Sequence, residues 1–214
     1  MEITLPQPAT PPTRVWDIYV PIVTSKNVSH VYITEPIDEP SYYNELCYLL
    51  DNATEQDTIN IHINTPGGII DSAVMIINSI KNSKANVVGH LAGTVASAGT
   101  MIALSCNSLK VANHTTFMIH NYSSSGGRGK GHELKAMQAF VDANLNSTFT
   151  ATYGGFLTPK EIREVIDGKD LWMGKDEVIA RFNGTYFKSP TVKSIDTDQS
   201  TLIKPRRGRP KKDS

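Results

Sequence analysis

Little in this 214-residue chain points to a disulfide framework, a membrane or a polyanion. Its two cysteines, Cys47 and Cys106, are far apart and form no Cys-x-x-Cys pair. Small secreted folds and zinc ribbons need more thiols at closer spacing, so both read as ordinary buried thiols, and neither metal nor other cofactor is expected. Charge of neither sign dominates: 21 Lys plus Arg stand against 21 Asp plus Glu. No whole-chain field therefore draws the molecule to nucleic acid or a lipid surface. No apolar run approaches the about 18–20 residues that span a bilayer. The opening MEITLPQPATPPTR also lacks the basic head and apolar run of a secretory signal. These absences set the expectation of a soluble cytoplasmic protein without membrane contact, in the host cytoplasm if phage-encoded. What is present is 39% hydrophobic residues, enough for one core.

The pattern along the chain divides it in three. Residues 1–15 are rich in Pro and Thr and read as a flexible segment. Residues 16–188 carry the globular pattern. Residues 189–214 lose it and end in IKPRRGRPKKDS, a disordered basic tail. Within the middle part, VYIT at 31–34, TINIHINT at 58–65, NVVGHLA at 86–92 and TTFMIH at 115–120 read as strands. Ile69, Ile70, Ala73, Val74, Ile77 and Ile80 recur at helical spacing, as do Leu134, Met137, Phe140, Val141 and Leu145 over about 132–152; each set predicts a buried helix face. Thr158-Pro159-Lys160-Glu161 is a capping-box helix start, and Asn183-Gly184 suits the end of a following short helix. Strands alternating with helices predict an α/β fold with a largely parallel sheet.

Three junctions after strands could carry chemistry. Thr65-Pro66-Gly67-Gly68 offers exposed amides at a helix start, the makings of an anion or oxyanion site, and equally of a plain tight turn. In Gly93-Thr94-Val95-Ala96-Ser97-Ala98-Gly99-Thr100 a serine opens a helix among small residues. It can be an uncrowded nucleophile or a helix cap. Val95 stands where a G-x-S-x-G elbow needs glycine, which disfavours an α/β-hydrolase. His120 ends a strand, as a base or a structural histidine would. The following NYSSSGGRGKG is no phosphate loop, because Lys130 precedes Gly131 rather than Ser or Thr.

Taken in order, INTPGG, GTVASAG and MIHN resemble INSPGG, G-x-A-A-S-M-G and M-I-H-Q of the Clp protease proteolytic subunit. The DIY near residue 17 and KDLWMGKDEV, similar to R-D-x-F-M-S-A-x-E-A, extend the resemblance from about Trp16 to Phe187. It implies the Clp/crotonase-like α/β fold, a repeated β-β-α spiral with a protruding handle helix. It also implies a serine endopeptidase with Ser97 as nucleophile, His120 as base and Asp170 as third member, Asp167 and Asp176 being nearby competitors. Backbone amides of Gly68 and Ala98 would form the oxyanion hole, and the loop holding Gly126 and Gly127 would pair with an extended peptide. The implied partners are unfolded polypeptide substrates, further copies in stacked heptameric rings and a Clp-type ATPase.

Three departures qualify this. Ala98 replaces a frequent methionine, which leaves the amide unchanged. Asn60 and His62 stand where relatives that dock an unfoldase present aromatics, and polar residues weaken such a socket. The tail's Arg207-Gly208-Arg209-Pro210 resembles an AT-hook, whose short contact to A·T-rich DNA would be weak and salt-dependent. A crotonase-type acyl-CoA enzyme, or a ring scaffold that associates with DNA through the tail, are the alternative readings.

Overall fold

The structure, a computed structural model, describes residues 22–25, 27–123 and 129–184. The boundaries at 15/16 and 188/189, the basic tail with Arg207, Gly208, Arg209 and Pro210, and Gly126 and Gly127 lie outside the described residues.

Period-two alternation builds the sheet. In β3 (Thr58–Thr65) Ile59, Ile61 and Ile63 alternate with Asn60, His62 and Asn64, and the isoleucines are fully buried. β2 (Val28–Ile33) and β4 (Asn86–Ala96) flank it in parallel register, Ile61 opposite Val31 and Gly89. β4 then serves two neighbours. Its first half pairs with β5 (Ser108–Val111), and its last residues, Thr94 to Ala96, pair with β6 (Thr116–Ile119), both parallel. The fork follows a shift in register from Ile63 opposite Leu91 to Thr65 opposite Val95. Gly93 makes it possible: its φ is +73°, and a Cβ there would lie 2.7 Å from Asn64 Oδ1, which accepts the Thr94 N–H. Antiparallel edge strands close the sheet, β1 (Ile22–Ser25) on β2 and β7 (Leu171–Gly174) on β6. The mixed α/β architecture with a largely parallel sheet is thus present, β5 and β7 being strands the sequence pattern did not reveal.

Among the described residues six α-helices accompany the sheet: α1 (Asn44–Asn52), α2 (Ile70–Asn82), α3 (Ala98–Ser105), α4 (Gly131–Tyr153), α5 (Pro159–Ile166) and α6 (Lys175–Phe182). α2 buries Ala73, Ile77 and Ile80 of the expected face, together with Ile76, while Ile70 and Val74 are only half-buried and Ile69 precedes the helix and is exposed. The expected buried face of α4 is corrected. Met137 and Phe140 are exposed, Leu134, Val141 and Leu145 are only half-buried, and the buried residues are Phe149 and Tyr153 at its end. Among the described residues little packs against the first part of this 23-residue helix, and only Phe149 and Tyr153 near its end are buried.

α5 starts as its sequence requires. The Glu161 N–H donates to Thr158 Oγ1 and the Thr158 N–H donates to Glu161 Oε2. Glu161 also receives a two-pronged bond from Arg181 of α6, at 2.8 and 3.1 Å, while Arg181 Nε donates to Glu177. Arg181 is 3% exposed, and a fourth bond, to the Phe156 carbonyl, ties in the turn after α4. Burial opposes the charge on Glu161, but the Arg181 and Thr158 bonds outweigh it and hold the carboxyl down at about 2.

Among the described residues no helix is long and apolar enough to cross a membrane. Cys47 and Cys106 are both buried and unpaired, and burial pushes the Cys106 thiol up to about 12.

Candidate active site

The site lies where β3, β4 and β6 end side by side. Their parallel register means that the turn after β3, the turn after β4 and the last residues of β6 emerge on one edge. Thr65 Oγ1 organises the first turn. It donates to the Glu35 carbonyl and accepts the Gly67 N–H. The turn then bridges to Ile37 through the Gly67 carbonyl and the Ile69 N–H. That bridge leaves the N–H of Gly68, an exposed residue, facing away from Ile37. Only glycine fits here, because a Cβ on Gly68 would sit 2.0 Å from the Ile37 carbonyl oxygen.

Ser97 occupies the second turn in a conformation rare for a side-chain-bearing residue, φ 53° and ψ −127°. Such strain is on the order of 1–3 kcal/mol and persists only where the surroundings hold it. They do so on both sides of the residue. The Ser97 N–H donates to the Met118 carbonyl of β6 at 2.8 Å, and the Ser97 carbonyl accepts from the Thr100 N–H and from Thr100 Oγ1. Small neighbours give clearance. A Cβ on Gly67 would fall 2.6 Å from Ser97 Cβ, and one on Gly99 would fall 2.5 Å from Thr65 Cγ2.

Two readings of Ser97 are separated here. A capping serine gives its oxygen to the helix, but the Ser97 side chain makes no capping hydrogen bond to α3. Ser97 instead lines a cleft together with Ala98, His120, Tyr122, Phe149 and Tyr153. The sharp strand-to-helix turn has the strained form of an elbow but lacks the first elbow glycine, and Gly67 of a different turn supplies the clearance. No sequence signal reveals this, since the crowding partner lies thirty positions away.

The sequence-predicted residues are placed as follows. Ser97, Ala98 and His120 share the cleft. Gly68 is in the turn packed on Ser97. Ala98 opens α3, so no carbonyl of its own helix can accept its N–H. Asp170 is exposed and is not part of the cleft wall, but β6–β7 pairing ends with Ile119 opposite Leu171. The next residue on each strand is His120 and Asp170. Asp167 caps the end of α5 and Asp176 lies beyond β7 in the first turn of α6. Asn121 Nδ2 donates to the Ile166 carbonyl at 2.8 Å, tying the exit of β6 to the chain that leads to Asp170. Among the described residues no hydrogen bond joins the Ser97 hydroxyl to His120, or His120 to an aspartate. Residues the sequence reading passed over are Thr100, Asn121, Tyr122 and Tyr153.

Asn60 and His62 lie away from this edge, on the sheet face opposite the isoleucines. His62 stacks on Tyr32 with centroids 4.4 Å apart, lies tilted against His90 at 4.6 Å, and bonds His30 at 3.0 Å. Asn60 is buried, its Oδ1 held by His90 Nε2. These imidazoles stack rather than converge, and among the described residues no group of three or more His, Cys, Asp or Glu could hold a metal ion.

A strained strand-to-helix turn bearing a serine that caps no helix, in one cleft with a strand-end histidine, is an arrangement compatible with hydrolysis through a serine. The comparisons make that reading narrower. A sequence model of the Clp protease family matches residues 14–179. The ATP-dependent Clp protease proteolytic subunit of Streptococcus suis (strain 98HAH33) is 27% identical over 176 residues, 78% of this chain and 86% of the relative. The subunit of the same description from Streptococcus pyogenes serotype M5 (strain Manfredo) matches at the same identity and coverage. The chain belongs to the Clp protease family, and its class of activity is that of a serine-type peptidase.

Proposed function

We propose that this protein hydrolyses peptide bonds of unfolded polypeptides with Ser97 as nucleophile, His120 as general base and Asp170 as the residue that orients His120. The observation that carries the reading is Ser97 itself, whose side chain caps no helix and which lines one cleft with His120. His120 takes the hydroxyl proton as the oxygen attacks the scissile carbonyl, and the carbonyl oxygen, now negative, is met by the Gly68 and Ala98 N–H groups. Collapse of this intermediate breaks the C–N bond, and His120 returns the proton to the departing amine. Water, deprotonated by the same imidazole, then releases the acyl group from Ser97. Asp170 is preferred over Asp167 and Asp176 because it directly precedes Leu171, whose strand partner Ile119 directly precedes His120.

Around this site the proposal places a chamber of stacked heptameric rings, with the exposed side of α4 as contact surface between copies. The peptide would lie along the segment with Gly126 and Gly127. A Clp-type ATPase would deliver substrate, and the tail's Arg207, Gly208, Arg209 and Pro210 would supply at most a weak DNA contact. Because Asn60 and His62 are engaged by their own neighbours, docking would not use an aromatic socket at those two positions.

A fluorophosphonate probe tests the centre of this reading. The assembled wild type takes up one probe per chain at Ser97 and degrades an unstructured polypeptide. Ser97→Ala takes up none and loses on the order of 10⁴-fold or more in rate. A folded, assembled wild type that stays unlabelled, or full cleavage by Ser97→Ala, defeats it.

A further inference from the structure

The Ser97 carbonyl is held by a short chain of hydroxyls reaching through the protein interior. Thr100 Oγ1 lies 2.6 Å from the Ser97 carbonyl oxygen and 2.6 Å from the Tyr153 hydroxyl. A carbonyl only accepts, so the single Thr100 proton is directed at Ser97, and the remaining contact must have Tyr153 as donor. The chain therefore has one direction, from Tyr153 to Thr100 to Ser97. Thr100 is fully buried and Tyr153 is 1% exposed, so water cannot replace either bond. Burial also pushes the Tyr153 phenol upward, which keeps its proton in place.

The peptide unit is planar, so the Ser97 carbonyl and the Ala98 N–H are two ends of one rigid plate and point in opposite directions. Whatever fixes the carbonyl aims the N–H. Ordinary helix geometry would not hold this plate, because Ser97 sits outside the helical region at ψ −127°. Two donors from one residue, the Thr100 N–H at 2.9 Å and its hydroxyl, hold it instead.

We infer that Thr100 and Tyr153 are positioning residues that aim the Ala98 N–H at the developing oxyanion by anchoring the opposite end of its peptide. Tyr153 ends α4, and Phe149 and Leu145 of that helix line the same cleft, so one helix both walls the cleft and supplies the outer link of the anchor. The inference rests on the proposed role of Ser97 and adds residues that no motif pointed to.

Thr100→Val keeps the shape and removes the hydroxyl, Thr100→Ser keeps the hydroxyl, and Tyr153→Phe removes only the outer link. The assay is steady-state cleavage of a quenched-fluorescent unstructured peptide by the assembled protein, with fluorophosphonate inactivation rates and Tm measured alongside. Thr100→Val should lower kcat by about 10- to 100-fold, part of what losing an oxyanion donor does, with KM within about twofold. Thr100→Ser should stay near wild type, Tyr153→Phe should lose less than Thr100→Val, and adding Tyr153→Phe to Thr100→Val should lower kcat no further. A structural role alone would lower Tm and leave kcat intact well below it, and that result overturns the inference. So does a loss confined to KM, or an equal loss in Thr100→Ser. If Thr100→Val fails to fold, a kcat for Tyr153→Phe equal to wild type overturns it. These outcomes are separate from failure of the Ser97 assignment, which would show as an unlabelled wild type.

Discussion

Two corners of the molecule are fixed by opposite means. The turn at Ser97 is held by neutral groups: backbone bonds to Met118 and Thr100, a hydroxyl chain, and the room left by Gly67 and Gly99. The corner at Arg181 is held by charge, one buried guanidinium joining Glu161, Glu177 and the Phe156 carbonyl. The first tolerates changes of pH but no added volume. The second tolerates modest changes of shape but not loss of its charge, because removing one partner strands the others out of full solvent. The proposed reaction geometry and the stability of the fold thus rest on different physics and can be perturbed separately.

The largest effect should come from Gly67→Ala. Its φ of +97° disfavours a side chain, and the added Cβ would meet Ser97 Cβ at 2.6 Å and the Ala96 carbonyl at 2.8 Å. The Ser97 turn must shift, so cleavage should fall by about 100-fold or more, as expected when reacting groups move by about 1 Å. Unchanged cleavage would show that the turn does not depend on this clearance. At the other corner, Arg181→Met should lower stability by about 3 kcal/mol, the low end for breaking a buried pair, since both glutamates retain some solvent. A denaturant titration reads this, while Ser97 labelling at a temperature well below unfolding should match wild type. Equal loss of labelling and stability would erase the distinction between the corners.

The same corner fixes an acid limb. Glu161 is depressed from 4.5 to about 2, so the stability it contributes is present above about pH 4.5 and is lost as pH falls toward 2. Arg181→Met should flatten that limb, and a limb of unchanged steepness would contradict the ion-pair account.

The smallest effect expected is at His90. Burial, then His62, Lys110 and His30, lower it from 6.5 to about 4. The unfolded chain therefore takes up that proton first, and stability declines as pH falls from 6.5 to 4. His90→Gln, which can still reach Asn60, should show a shallower decline in that window. Identical slopes would mean that the stacked imidazoles do not govern it.

Much of this arrangement was legible in the residues, and the exceptions have physical causes. β3 was readable to its ends because strict alternation of isoleucine with polar residues leaves one register. The α5 start was readable because Thr158, Pro159 and Glu161 each satisfy a local bond. β5 and β7, four residues each, carry too short a pattern to separate from a loop. The apolar spacing of α4 was visible, but spacing shows that a face exists and not what covers it. The strained Ser97 turn was hidden because its clearance comes from Gly67, and only folding brings the two together. Asn60 and His62 were recognisable as polar substitutions, yet the Asn60–His90 hydrogen bond and the His62–Tyr32 ring stack depend on cross-strand register.

The fork in β4 has a consequence for length changes. The connection between α3 and β5 joins segments whose ladder lies upstream of the branch, so lengthening it near Asn107 should leave cleavage chemistry almost untouched. The connection from β5 to β6, across Ala112 to Thr115, measures out where His120 comes to rest. One extra residue there would slide the imidazole along its rail relative to Ser97, and a chain that still folded would have its base parked at the wrong stop.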